Sequence, residues 1–382
     1  MAEKVSVVKC ESYDEKLVLE KVREALNLID FEIKQGTNVL LKPNALMGKD
    51  PEEAVTTHPA IISAVCRILK EKKCNISIGE SSGFMALGGT DYSLEKSGIK
   101  KVAEKYNIKL INFDKSKIVL KRIDGEILKK IHVPKPILDA EFIINLPKLK
   151  THTLVGYTGA IKNMFGTIAG GKKADYHKTC GNQKRFSDLL IDIYLSRKPD
   201  LNIMDGIVGM EGNGPSAGKI KKTGVILASR SGIALDFVAE KIIGFSGDDI
   251  QTNTALIRRN LKPKIEIKGE KNIRVIYEKP IKTFRGRLEF LMKIFYIIIN
   301  PKIKINHKKC KKCLACMKSC PANAISFVNG KIKINKNKCI MCYCCHEMCP
   351  ESAIEIGPSK FAKFIIHAKN LTKKVLKWKF KQ

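Results

Sequence analysis

The chain lacks two features that would put it in or across a membrane. Its first residues, MAEKVSVVKCESYDEK, have no apolar core of a secretory signal, and no run reaches the roughly 18–20 consecutive apolar residues that span a bilayer. The expectation is a cytoplasmic protein. Acidic residues are scarce at one end: residues 279–382 hold 24 Lys+Arg against 4 Asp+Glu, so +20 of the formal +32 lies there. The glycine-rich stretch 206–218 lacks the Gly-Lys-Ser/Thr of a phosphate-binding loop and opens no obvious helix, so it reads as an active-site loop or tight turn. No recognised nucleic-acid-binding module accompanies the positive charge, which leaves an acidic redox protein or an anionic membrane face as the expected partner and nucleic acid as unlikely.

What is present begins with length and cysteine. At 382 residues, 44% apolar and 28% charged, the chain has ordinary globular composition with room for more than one domain. Eight of its 13 cysteines fall within forty residues, at ligand spacing, in a chain without an export signal. Cys10, Cys66, Cys74, Cys180 and Cys344 are left over and read as ordinary thiols.

The cysteine-rich region is a tandem duplication. PKIKINHKKC at 301–310 and GKIKINKNKC at 330–339 align at an offset of 29, and CKKCLACMKSCPANAI aligns with CIMCYCCHEMCPESAI at the same offset. Each half reads C-x2-C-x2-C-x3-C-P, the spacing of bacterial two-cluster ferredoxins, in which the fourth cysteine of one half serves the cluster of the other. This predicts two [4Fe-4S] clusters, one held by Cys310, Cys313, Cys316 and Cys349 and the other by Cys339, Cys342, Cys345 and Cys320. The repeat pairs Cys345 with Cys316, which makes Cys344 the spare. Structural zinc is the alternative, but zinc ribbons separate two cysteine pairs widely instead of placing three thiols in seven residues before a Cys-Pro. Each half is expected to supply a short strand, a ligand loop, a helical turn after the Cys-Pro and a second strand.

Residues 1–278 alternate strand-like and helix-like runs. Strands are predicted at Val5–Lys9, Asn38–Leu41, Asn75–Ile78, Ile108–Phe113, Phe142–Leu146, Leu201–Met204 and Val225–Ala228. Helices are predicted at Glu15–Ile29 behind a Ser12-x-x-Glu15 capping box, at about 58–73, near 93–106, and near 184–195 and 232–243. The fold class is therefore α/β, a layered and mostly parallel sheet domain, followed by a small α+β ferredoxin-like domain of βαββαβ type at 301–357. Between them, 279–300 reads as a basic linker whose apolar segment 288–299 is too short to cross a membrane. In the tail 358–382, apolar residues from Phe361 to Trp378 recur in steps of three and four among eight lysines, a pattern suited to an anionic membrane surface or to packing on the chain itself.

In such sheets, ligands collect beyond the carboxyl ends of strands. Lys42 and Asn44 follow one predicted strand, Glu80 another, and Lys148, Lys150 and His152 a third, where an extended i, i+2, i+4 spacing sends them to one side. Lys162 and Asn163 lie just beyond Gly156 and Gly159, expected to let backbone approach a ligand closely. Lys148, Lys150, His152, Lys162 and Glu80 are the catalytic candidates, and Lys42, Asn44 and Asn163 the binding ones. Together they make a cationic site for an anionic small molecule. Glu80 and Asp236 remain open as metal ligands, bases or buried partners, and His58 before Pro59 reads as a helix terminus.

The motifs LLKPN at 40–44, TTHP at 56–59, IGESSG at 78–83, LPKLKTHTLVGYTGAIKNMFG at 146–166, MDGIVGMEGNGPSAG at 204–218 and ALDFVAEKIIG at 234–244 resemble the domain of unknown function 362 family over about residues 1–265. The resemblance implies an α/β domain often joined to a ferredoxin-like module, and it supplies no substrate. Fusion of the two suggests an iron–sulfur oxidoreductase; the alternative is a non-catalytic electron-transfer subunit that docks through its basic third.

Overall fold

The computed structural model of the chain describes residues 2–83, 88–281 and 302–357. The tail 358–382, the segment 288–299 and all but the first residues of the linker lie outside the described residues. The first elements are β1 (Glu3–Lys9), α1 (Glu15–Asn27), β2 (Asn38–Pro43), α2 (Pro59–Glu71), β3 (Asn75–Glu80), α3 (Gly89–Lys96), α4 (Ile99–Lys105) and β4 (Lys109–Asn112). A hairpin of β5 (Ile118–Arg122) and β6 (Lys130–Pro134) leads through α5 (Lys135–Asp139) to β7 (Phe142–Leu146), β8 (Lys148–His152) and β9 (Gly156–Thr158). Then come α6 (Ala160–Asn163), α7 (Lys172–Cys180), α8 (Gln183–Ser196), β10 (Leu201–Glu211), β11 (Lys219–Ser229), α9 (Gly232–Ile242), α10 (Gln251–Arg258) and β12 (Ile265–Gly269).

The main sheet runs β12-β1-β11-β10-β7-β2-β3-β4, with β8 and β9 branching from β10. From β10 through β7, β2 and β3 to β4 every pairing is parallel, while β11 runs antiparallel to both β10 and β1. The register sets Lys42 of β2 against Asn145 of β7, so the carboxyl ends of these strands form one edge. Apolar residues of α1, α2 and α4 cover one face, and Phe165, α8 and α9 cover the other. The central strands are sandwiched, which is why they read as short unbroken apolar runs.

Two local expectations are corrected. Asp14, not Ser12, caps α1, its carboxylate accepting from Lys16 N and Leu17 N; directly preceding the helix, it meets the free N–H groups with a full negative charge. The single helix expected near 93–106 is broken into α3 and α4 by Gly98, whose φ of +75° favours glycine.

The cysteine module has β13 (Lys302–Ile305), α11 (Ala315–Lys318), β14 (Ile325–Val328), β15 (Lys331–Ile334), α12 (Cys344–Glu347) and β16 (Ile354–Gly357). β13 pairs with β16, and β14 with β15 across a tight Asn329-Gly330 turn with positive φ at both residues. The helical turn of each half precedes the Cys-Pro instead of following it, because the third cysteine of each half sits within that turn. Tyr343 and Ile356 join the apolar cluster of Phe165, Phe186 and Leu189, so the second half of the module is packed into the core of the α/β domain. A large side chain buried this way stabilises docking by about 1.5–3 kcal/mol.

Candidate functional site

Where the second half of the module meets the carboxyl edge of the sheet, a cavity of about 200 Å³ opens. The α/β domain contributes Asn44 and Glu80 from the ends of β2 and β3, Lys150 from β8, Lys162 and Asn163 from α6, and Lys173 and His177 from α7. Lys318, Cys344, Glu347 and Met348 come from the module, and Pro215 from the glycine-rich turn after β10. That turn is also a seam: Ser216 Oγ donates to Glu347 O and Asn213 Nδ2 to Ile356 O. His346 spans the same seam, with Nδ1 2.6 Å from Ile354 O and Nε2 3.0 Å from Asn213 O.

Glu80 accepts from Lys42 Nζ at 2.8 Å, and both side chains are buried. Burial pushes the Glu80 carboxyl up and the Lys42 ammonium down, and each partner works against the other's shift. Gly166 passes so close that a Cβ there would lie 2.2 Å from Glu80 Oε1 and 2.6 Å from Lys42 Nζ. It makes the close approach expected of Gly156 and Gly159, whose missing Cβ atoms instead leave room for Asp249 O and for the side chains of Tyr157 and Asp236.

Lys150 donates to Val55 O at 2.5 Å and has no carboxylate in salt-bridge range among the described residues. Burial, helped by the charges of Lys162 and Lys148, holds it well below the ordinary lysine range, which favours its neutral amine. Lys162 lies over the Phe165 ring, 5.7 Å from its centre, likewise without a carboxylate in salt-bridge range among the described residues. Lys173 donates to Ser81 O, Ser81 Oγ and Ser82 O, using all three N–H groups on neutral acceptors, and burial lowers it to about 8.

His152 accepts at Nδ1 from Leu154 N and Val155 N, so its hydrogen is on Nε2, which faces Glu347 Oε1 at 3.2 Å across the seam. Burial lowers His152 to about 4; for Glu347 burial acts upward, but His152 and Lys162 outweigh it and hold the carboxyl at about 2. His177 stacks on Phe186 at 4.2 Å, is lowered to about 4 by burial, and has Nδ1 without a hydrogen-bond partner among the described residues.

A line of four amides leads from the cavity across the sheet. Asn44 Nδ2 donates to Asn163 Oδ1, Asn163 Nδ2 to Asn145 Oδ1, Asn145 Nδ2 to Asn202 Oδ1, and Asn202 Nδ2 to Ser229 O. Backbone carbonyls accept only, so Ser229 O fixes the orientation of all four.

The sequence candidates thus separate. Asn44, Glu80, Lys150, Lys162 and Asn163 line the cavity, Lys42 lies behind Glu80, and His152 lies behind Glu347. Lys148 is elsewhere: its Nζ donates to Asp205 Oδ2 and Tyr13 Oη, both at 2.8 Å, and Tyr13 stacks on His58, the N-cap of α2. Asp236 accepts from Ala160 N, Ile161 N and Tyr157 Oη and caps α6, with burial raising it to about 7. Sequence reasoning did not single out Lys173, His177 or Glu347. Glu347 carried a signal, because the repeat pairs it with Lys318, a reversal of charge between otherwise matching halves.

The cysteines form two tetrads. Cys310, Cys313, Cys316 and Cys349 line one small enclosed cavity together with Ile305, Leu314, Ile332 and Ile354. Cys320, Cys339, Cys342 and Cys345 line another with Ile303, Ile325, Ile334 and Ile340. Among the described residues no three histidine, cysteine or acidic side chains converge as a single ion requires; the thiols instead surround an enclosed space. Ala324 N donates to Cys320 Sγ and Ala353 N to Cys349 Sγ, each at 3.2 Å, as suits thiolate ligands. This donor set in an apolar shell fits an iron–sulfur cluster. Cys344 belongs to neither tetrad.

Known proteins resemble the chain in two separate regions. Residues 39–241 match the family model described as a domain of unknown function (DUF362), and residues 302–350 match a 4Fe-4S dicluster domain. A thylakoid-associated protein of Synechocystis sp. is 32% identical over 267 residues, covering 69% of this chain and 81% of that protein. Among solved structures, the lactate racemase apoprotein of Thermoanaerobacterium thermosaccharolyticum gives a TM-score of 0.41 at 15% identity, over 62% of this chain and 56% of that one. A Thermotoga maritima protein gives 0.37 at 13%, over 59% and 57%. The chain spans little more than half of either structure.

Proposed function

Because the chain belongs to the domain of unknown function 362 family and carries a ferredoxin-type iron–sulfur module, we propose that it is an oxidoreductase acting on a compact anion in the cavity between its two parts. The supporting observation is that this cavity is lined by the cationic edge of the sheet and by Cys344, which stands between the ligand candidates Cys342 and Cys345. The two tetrads would hold two [4Fe-4S] clusters, which supply one-electron transfer. Lys162 offers the anion an ammonium group, and Lys150 a neutral amine able to take a proton. Lys42 orients Glu80 and opposes the rise that burial imposes on its carboxyl, while His152 faces Glu347. At about 200 Å³ the cavity is smaller than the roughly 300–1,000 Å³ of sites for drug-sized ligands, in keeping with a small metabolite.

The test is anaerobic mass spectrometry for a small molecule retained by the purified chain, followed by cluster absorbance when that molecule is added. Lys150→Ala and His152→Ala should each slow substrate-dependent bleaching or recovery at least about tenfold. Unchanged rates in both would remove the assignment.

A second reading, a non-catalytic electron-transfer subunit, draws support from the thylakoid-associated relative and from the exposed Lys308, Lys309, Lys311 and Lys312 around Cys310, which suit an acidic redox partner. On that reading the protein works in the cytoplasm or peripherally at a membrane face. No helix of the described residues is long and apolar enough to cross a membrane; the contact proposed is the lysine-rich tail 358–382. Deleting that tail should abolish sedimentation with anionic vesicles; equal sedimentation of both forms counts against it.

A further inference from the structure

Charge pairing in the cavity is incomplete in one direction. Lys42 is matched by Glu80, and Lys148 is matched by Asp205 outside the cavity. That leaves Lys162, Lys173 and Lys318 as ammonium groups lining the cavity, with Glu347 as the only other lining carboxylate among the described residues. Among the lining groups these are three lysines against one unpaired carboxylate, without counting Lys150. Lys173 spends its hydrogens on Ser81 and Ser82, and Asp114, a carboxylate outside the lining, faces it through Ser81 Oγ. Lys162 comes from the α/β domain and Lys318 from the cysteine module, so the excess is split between the two sides of the seam.

We propose that the cavity selects a compact organic dianion, two carboxylates on a short carbon skeleton, held between Lys162 and Lys318. This rests on the reading of the cavity as an anion site and narrows it to a charge and to one group on each side of the seam. A monoanion leaves one side of the seam uncompensated; a dianion neutralises both and joins the module to the sheet. Lys318 is exposed at the mouth, so its substitution alters recognition without touching the core.

The experiment is calorimetric titration of the anaerobically prepared full chain with malonate, acetate and inorganic phosphate. Malonate should bind at least about tenfold more tightly than acetate. Lys318→Glu should weaken malonate about tenfold or more and acetate much less, with iron content and melting temperature confirming an intact module. Lys162→Ala should bring the two affinities together. Equal affinity for malonate and acetate in the unaltered chain, or a malonate affinity indifferent to Lys318→Glu, overturns the dianion inference and leaves the anion site standing. Failure of all three probes to bind overturns the anion site itself and this inference with it.

Discussion

The two halves of the cysteine module share one ligand spacing and face different surroundings. In the first half, Lys308, Lys309, Lys311 and Lys312 are exposed around the ligand loop and Lys318 reaches the cavity mouth. In the second, everything from Tyr343 to Cys349 is buried. At the offset of 29, Leu314 aligns with Tyr343, Ala315 with Cys344, Met317 with His346 and Lys318 with Glu347. Each of these four positions in the second half meets the α/β domain or the cavity: Tyr343 enters its core, Cys344 and Glu347 line the cavity, and His346 reaches Asn213 O. The ligand spacing is common to both halves, whereas the residues between the ligands have been fitted to what lies opposite.

The strongest way to break this comparison is at adjacent cysteines. Cys345→Ala should remove a ligand and lower bound iron from about eight to about four per chain. Cys344→Ala should leave iron near the unaltered level, as colorimetric iron and acid-labile sulfide assays would show; equal loss in both would mean the tetrads are misassigned.

Exchanging charges at the aligned pair is the next step. Glu347→Lys copies the first half into the second, sets a buried ammonium beside Lys162 and leaves His152 without its carboxylate, at a cost of about 3–5 kcal/mol. Lys318→Glu, the reverse exchange on an exposed side chain, should change stability by no more than about 0.5 kcal/mol. Anaerobic thermal unfolding separates them, and similar losses would end the claim that the halves differ by environment.

A smaller effect comes from the imidazoles facing the second half. His152 and His177 have folded pKa values near 4, below the ordinary histidine value of 6.5. Between those values the unfolded chain binds more protons, so stability is complete above about 6.5 and falls as pH drops towards 4, by about 3 kcal/mol for each histidine. Melting temperatures between pH 7 and 5 should show this slope, and His177→Phe should flatten it; an unchanged slope would assign the loss to other groups.

The repeat also shows what could be read in advance. The ligand spacing and the short apolar strands are local patterns set by cubane geometry and by burial on two sides, and they were legible. Lys150 and His152 were legible as chemistry just past β7, but not as members of β8, because a strand carrying Lys, Thr and His lacks apolar alternation and forms only by pairing with β9 and β10. Lys173 and His177 lie on α7, KKADYHKTC, which shows no apolar periodicity; their roles depend on Ser81 and Phe165, which only the fold brings near. Glu347 is half of a contact whose partner, His152, belongs to the other domain.

The amide line from Asn44 to Ser229 O also decides what the sheet edge presents to the cavity. Asn163 Nδ2 donates to Lys42 O and Pro43 O as well, and Asn145 Nδ2 to Ala160 O, so backbone carbonyls hold the polarity all along the line and not at its end alone. No member can turn over without setting oxygen against oxygen, which leaves Asn44 Oδ1 as the line's one amide oxygen without a hydrogen-bond partner among the described residues.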